Sequence, residues 1–108
     1  MVGQVFRVLF SRKAQRRRRK ITEFETRLAD KRKARKVQHE IDAAAKKLEK
    51  LPNSNPIYQK DKDGTVYRYA KAYSYKLIFK VFEQAKEVFI ITVRHDKEDS
   101  SIIGNDLK

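Results

Sequence analysis

Residues 12–20 carry seven cationic side chains in nine positions: Arg12, Lys13, Arg16, Arg17, Arg18, Arg19 and Lys20. Such groups grip phosphate or carboxylate, giving affinity with steep salt dependence and no choice of sequence. Successive residues of a helix turn by ~100°, so four consecutive arginines encircle the axis instead of forming one row. That spacing suits a general electrostatic attractor better than a phosphate ladder. Its candidate partners are nucleic acid, an acidic protein segment or an anionic membrane, and the alternative is a solvated helix face. A second pattern interleaves Tyr58, Tyr67, Tyr69, Tyr73 and Tyr75 with Lys60, Lys62, Arg68, Lys71 and Lys76. Aromatics among cations suit base stacking on single-stranded RNA, and tyrosine is equally at home in cross-strand packing.

Other chemistries lack their residues. Cysteine is absent and the two histidines, His39 and His95, lie far apart in sequence, which argues against thiolate or zinc sites and fits a reducing compartment. With only Gly3, Gly64 and Gly104 there is no phosphate-cradling loop, so no nucleotide or other small-molecule cofactor is expected. Asp61 and Asp63 belong to a turn signal and do not form a catalytic carboxylate pair.

The net charge of +13 is unevenly spread. Residues 1–50 hold 17 Lys/Arg against 6 Asp/Glu, residues 51–94 hold 8 against 4, and residues 95–108 hold 2 against 4. A basic helical half with a slightly acidic end points to a directed electrostatic surface. At 108 residues one domain is the expectation. No apolar stretch approaches the ~20 residues that cross a bilayer. The N-terminus shows no signal-peptide pattern, so a cytoplasmic location without membrane contact is expected.

The elements that must hold these residues follow from periodicity. Residues 5–10 are apolar and rich in β-branched and aromatic types, which predicts a strand. Ser11 is placed to cap a helix whose stripe is Ala14, Ile21, Phe24 and Leu28. Asp30 caps a second helix with the stripe Ala34, Val37, Ile41, Ala44, Leu48 and Leu51. The pair forms an antiparallel hairpin that ends at Pro52–Pro56. Beyond it the period changes to two. Residues 57–60 and 65–70 are strands around the turn signal Asp63-Gly64. Residues 75–82 form a third, and the almost wholly apolar residues 88–93 predict a central strand covered on both faces. The fold class is α+β: a strand, a two-helix hairpin, then three or four antiparallel strands with the helices on one face. The domain spans residues 1–95. Residues 96–108 form a tail, in which Ile102 and Ile103 either pair on an edge, dock on a partner or stay disordered.

This order, with Val8-Leu9-Phe10-Ser11-Arg12-Lys13-Ala14, Tyr75-Lys76-Leu77-Ile78-Phe79-Lys80-Val81 and Phe89-Ile90-Ile91-Thr92-Val93-Arg94-His95, resembles the RelE/ParE toxins of bacterial type II toxin–antitoxin pairs. The resemblance implies a small basic toxin held inactive by a cognate antitoxin. It also implies one of two targets, messenger RNA in the ribosome or DNA gyrase. Metal-free RNA cleavage activates the ribose 2′-hydroxyl, stabilises the phosphate and protonates the leaving oxygen. By position in the family, Arg68, Lys76, Arg94 and His95 would form that site, with His95 as acid or base because its reference pKa lies near ~6.5.

Three departures bear on that implication. Lys76 stands where such toxins often carry arginine and gives up bidentate phosphate binding. No Tyr or Phe follows Phe89, whereas cleaving members commonly place an aromatic there. Asp96-Lys97 after Arg94-His95 only partly matches the Arg-His-Gly-Arg-Arg ending of many ParE-like chains. The missing C-terminal aromatic tilts the expectation toward ParE-like or non-cleaving action. The alternative class is a basic nucleic-acid-binding module with no toxicity.

Overall fold

The computed structural model describes residues 5–97. Strand β1 (Arg7–Phe10) runs into helix α1 (Arg12–Leu28), and α2 (Lys31–Lys47) returns antiparallel to it. A short 3-10 turn (Pro52–Ser54) leads into strands β2 (Ile57–Lys60), β3 (Val66–Ala72), β4 (Tyr75–Phe82) and β5 (Glu87–His95). The sheet order is β1-β5-β4-β3-β2. β2 to β5 are antiparallel neighbours, and β1 closes the sheet in parallel with β5, Arg7 opposite Glu87 through Phe10 opposite Ile90. The architecture is the expected α+β one, with all four later strands antiparallel and the parallel edge as an addition.

Both helix starts follow their caps. Ser11 Oγ accepts from Ala14 N at 2.9 Å, and Asp30 Oδ1 accepts from Lys33 N at 2.8 Å, each satisfying an otherwise orphaned amide of a first turn. Ser11 does more than cap. Its backbone N donates to Ile90 O at 2.9 Å and its hydroxyl donates to Ile91 O at 2.6 Å. These are the residues at which β5 bulges: Ile78 faces Thr92 while Phe79 faces Ile90, so Ile91 is the extra residue.

The main core lies between the helices and one face of the sheet. Ala14 and Ile21 from α1, and Val37, Ile41, Ala44, Ala45 with Leu48 from α2 and its end, pack on Tyr75, Leu77, Phe79, Val88, Ile90 and Val93. The opposite face has a smaller cluster of Tyr67 and Ile78, flanked by Tyr58, Tyr69 and Ile91. Most of the tyrosine row is therefore strand packing, and Tyr58 meets Tyr69 edge-on with centroids 6.0 Å apart.

Several expectations need correction. The first strand starts at Arg7 because Phe6 N is taken by Glu49 O at 2.8 Å, outside the ladder. The α1 stripe is Ala14, Ile21 and Glu25, whereas Phe24 and Leu28 are 44% and 70% exposed. Positions 24 and 25 flank the same line, and the sheet selects Glu25 because the Tyr75 hydroxyl donates to its Oε2 at 2.7 Å. Leu51 lies beyond α2 at φ 49° and is exposed. β5 lies inside the sheet as expected, and its open face is covered at Thr92 and Arg94 but not at Phe89, which is 36% exposed. β3 runs on to Ala72, and the β3–β4 hairpin turns at Tyr73 and Ser74, with Tyr73 at φ 58°. Ile102, Ile103 and all but the first two residues of the tail lie outside the described residues.

The double role of Ser11 gives a direct check. Ser11→Ala removes a cap and leaves the Ile91 carbonyl at the bulge without its hydroxyl donor. It should cost about 1–2 kcal/mol in urea unfolding, with the m-value unchanged.

Candidate functional site

The basic run divides when α1 docks. Arg12, Arg16, Arg19 and Lys20 are exposed, while Lys13, Arg17 and Arg18 are half-buried. Arg17 Nε donates to Val93 O at 2.9 Å, tying the helix to β5. Arg18 pairs with Asp42 of α2, and its guanidinium lies over the Phe10 ring at 4.6 Å. Two of the four consecutive arginines thus serve the interior of the fold. Arg12, Arg16, Arg19 and Lys20 remain open to solvent, and His39 sits on the outer surface of α2.

The sheet separates the four candidate cleavage residues. Residues directly opposite on neighbouring strands share a face. Arg68 pairs with Phe79 and His95 with Tyr75, and both partners belong to the helix-covered core. Arg68 and His95 are therefore on the helix side but on opposite flanks of β4, beside its middle and its start, with the four steps from Tyr75 to Phe79 spanning about 13 Å. Lys76 pairs with Arg94 and also faces Lys71, on the open side. The bulge at Ile91 decides this. Without the extra residue, alternation from Val88 would turn Arg94 inward and His95 outward.

Each residue has its own surroundings. Arg68 Nη1 donates to Asn55 O at 2.6 Å, holding the approach to β2. Arg94 is only 6% exposed, covered on the open face. Lys76 Nζ lies 3.6 Å from Asp96 Oδ1, and Lys71 pairs with the other oxygen, Oδ2. The Lys71 hydrogen bond, reinforced by the charges of both lysines, holds the Asp96 carboxyl below the usual carboxylate range despite partial burial. Lys76 Nζ also lies 5.4 Å from the Tyr69 ring centre.

His95 belongs to a different neighbourhood. Its ring meets Tyr75 edge-on at 5.2 Å, and its Nδ1 accepts from Lys97 N at 3.0 Å. An accepting Nδ1 places the ring proton of a neutral imidazole on Nε2. Tyr75 and His95 floor a groove of about 600 Å³ beside α1, walled by Ile21 and Phe24 and rimmed by Arg17, Lys20, Arg27 and Lys97. Sequence reasoning passed over Glu25, the Tyr75 hydroxyl and the Asp96 bridge. A glutamate one place from an apolar stripe looks like solvent-facing charge, and only a partner fifty residues away shows otherwise. Among the described residues no group of His, Cys, Asp or Glu could hold a metal ion, and no helix is long and apolar enough to cross a membrane.

Two comparisons place this geometry among known proteins. A family model for the ParE toxin of the type II toxin–antitoxin system parDE matches residues 8–100. The fold is similar to that in a chromosomal ParDE toxin–antitoxin system from P. aeruginosa, at TM-score 0.68 and 20% identity, covering 84% of this chain and 96% of that one. It is also similar to the RelBE2 toxin–antitoxin complex from Mycobacterium tuberculosis, at TM-score 0.62 and 17% identity, covering 85% of this chain and 92% of that one. No curated sequence matches the chain.

Two measurements test the site as described. Changing Arg16 and Arg19 to Gln should lower the salt needed to elute the protein from heparin with no loss of stability, whereas Arg17→Gln should cost about 1–2 kcal/mol in urea unfolding because the Val93 carbonyl loses its donor. Tyr75→Phe removes the donor to a buried carboxylate and should cost about 1–3 kcal/mol, while Tyr75→Phe with Glu25→Leu should recover most of that loss.

Proposed function

The chain belongs to the ParE toxin family of type II toxin–antitoxin systems, and from that premise we propose that it arrests growth by engaging DNA gyrase through a protein surface, until a cognate antitoxin covers it. One observation carries the choice of target. The residues that metal-free RNA cleavage would need, Arg68, Lys76, Arg94 and His95, are split between the two faces of the sheet. A cleaving site must bring base, phosphate clamp and acid within hydrogen-bond reach of one phosphodiester. Here Arg68 is engaged by Asn55 O and Arg94 is buried. The sequence adds that no Tyr or Phe follows Phe89 to stack on a base or pass a proton.

The antitoxin reading rests on the family and on both structural relatives, which are toxin–antitoxin systems by description. The exposed cations of α1 and the half-exposed Phe24 beside them offer charge and apolar area to an acidic, amphipathic segment. Antitoxin and gyrase both belong to the cytoplasm, where the absence of cysteine is in keeping.

Induced expression should stop growth and alter plasmid supercoiling while translated messages stay at full length. The purified protein should inhibit gyrase supercoiling, and Arg94→Ala or His95→Ala should leave messages equally intact. Codon-phased cuts in messages that disappear in either variant, with supercoiling unaffected, would overturn the gyrase assignment in favour of ribosome-dependent cleavage.

A further inference from the structure

On the open face of the sheet, Lys71, Lys76 and Arg94 stand side by side across β3, β4 and β5, each directly opposite the next. Three cations in one row repel each other, and a carboxylate at the end of β5 offsets that repulsion. Asp96 follows the strand, two residues on from Arg94. Its backbone N donates to Ser74 O at 2.7 Å, which fixes it against the β3–β4 turn. From there its two oxygens are shared out, Oδ2 to Lys71 and Oδ1 to Lys76. The carboxyl is held below the ordinary carboxylate range by these partners, so it stays charged well into acid.

We propose that Lys71 and Lys76, the two open members of this row, form a phosphate-binding site for single-stranded nucleic acid, occupied in the free protein by the Asp96 carboxylate, while the covered Arg94 contributes only its charge. A carboxylate spanning two ammonium groups sits where two oxygens of a phosphodiester would sit, and an ammonium serves either anion as a point charge. The side chains of Lys71, Lys76 and Asp96 are 50%, 28% and 32% exposed, so an arriving anion can reach them. Ion pairs this open to water exchange readily.

A nucleic acid is favoured over an acidic peptide by the aromatic neighbours. Tyr69 lies beneath the Lys76 ammonium and Tyr58 packs against its edge, both half-buried on the same face. A base beside the bound phosphate meets a ring there, and stacking of that kind is indifferent to sequence. Asp96 then acts as an internal competitor that keeps the row from binding polyanions indiscriminately. This inference stands whether or not gyrase is the target.

Fluorescence polarisation with labelled twelve-nucleotide oligo-dT and oligo-U tests it on the full chain. Asp96→Asn should tighten binding about five-fold at moderate salt, because the competing charge is gone and the shape is kept. Lys71→Gln with Lys76→Gln should weaken binding and lower the slope of log K against log salt by about 0.7 for each phosphate no longer neutralised. Adding Asp96→Asn to that double variant should give no further gain. Asp96→Ser repeats the first arm with a different side chain, and circular dichroism verifies the fold of each variant. Comparing the two oligonucleotides separates DNA from RNA as the strand taken. Unchanged affinity in folded Asp96→Asn and Asp96→Ser would overturn the proposal. So would an equal gain in the absence of both lysines, which would reduce the effect to net charge, or a labelled poly-glutamate peptide binding Asp96→Asn more tightly than either oligonucleotide.

Discussion

One extra residue in the fifth strand governs which side chains this protein shows to its surroundings. Ile91 interrupts the pairing of β5 with β4, and from that point the strand's inward and outward positions are exchanged. Val93 and His95 turn toward the helices, while Arg94 turns to the open face beside Lys76. The irregularity is held from both sides. Ser11 grips it through the carbonyls of Ile90 and Ile91, and Arg17 secures the carbonyl of Val93 just beyond it. Because Ser11 also starts α1, the helix with the greatest repulsion is anchored where the strand is least regular. Backbone acceptors that the bulge leaves over are satisfied by the polar end of that helix.

The same docking explains how so basic a helix lies on a hydrophobic sheet. Its sheet-facing line is thin: Ala14 and Ile21, with Glu25 completing it through Tyr75. The small side chains of α1 are balanced by the richer stripe of α2, where Ala34, Val37, Ile41, Ala44 and Ala45 are all buried. α2 is further tied to the β3–β4 turn. Tyr73 lies beneath the ammonium groups of Lys33 and Lys36, and its hydrogen bond raises the Lys36 pKa above the ordinary lysine value. Thus the two helices divide the work, α2 burying apolar area and α1 presenting charge.

Much of this was legible in the residues alone, and the reason differs by element. The caps at Ser11 and Asp30, the α2 stripe to Leu48 and the Asp63-Gly64 turn are local signals, decided within a few residues. Faces were harder. Glu25 in place of Phe24 depends on a tyrosine far away in sequence, and the side on which Arg94 and His95 emerge depends on a bulge that no residue pattern marks. Ile90-Ile91-Thr92 reads as an unbroken strand, since apolar residues on both faces hide the change of phase. For the same reason the site that the family resemblance implies at Arg68, Lys76, Arg94 and His95 is divided between the two faces of the sheet. Within the basic run, helical geometry puts Arg17 or Arg18 at the edge of the buried stripe, where both are half-buried, but it does not name Phe10, Asp42 and Val93 as their partners.

The parallel pairing of β1 with β5 joins the first strand of the fold to the last, Arg7 beside Glu87. β5 is also the strand on which α1 rests, so β1 has no partner and the platform for α1 is incomplete until β5 has been translated. Pairings this distant in sequence form late and slowly. A chain interrupted before β5 can still pack its cationic helix on α2, but it lacks the strand that holds Ser11 and Arg17. Completion of the fold therefore waits on the last strand, and a prematurely terminated product lacks the anchor of both its first strand and its first helix.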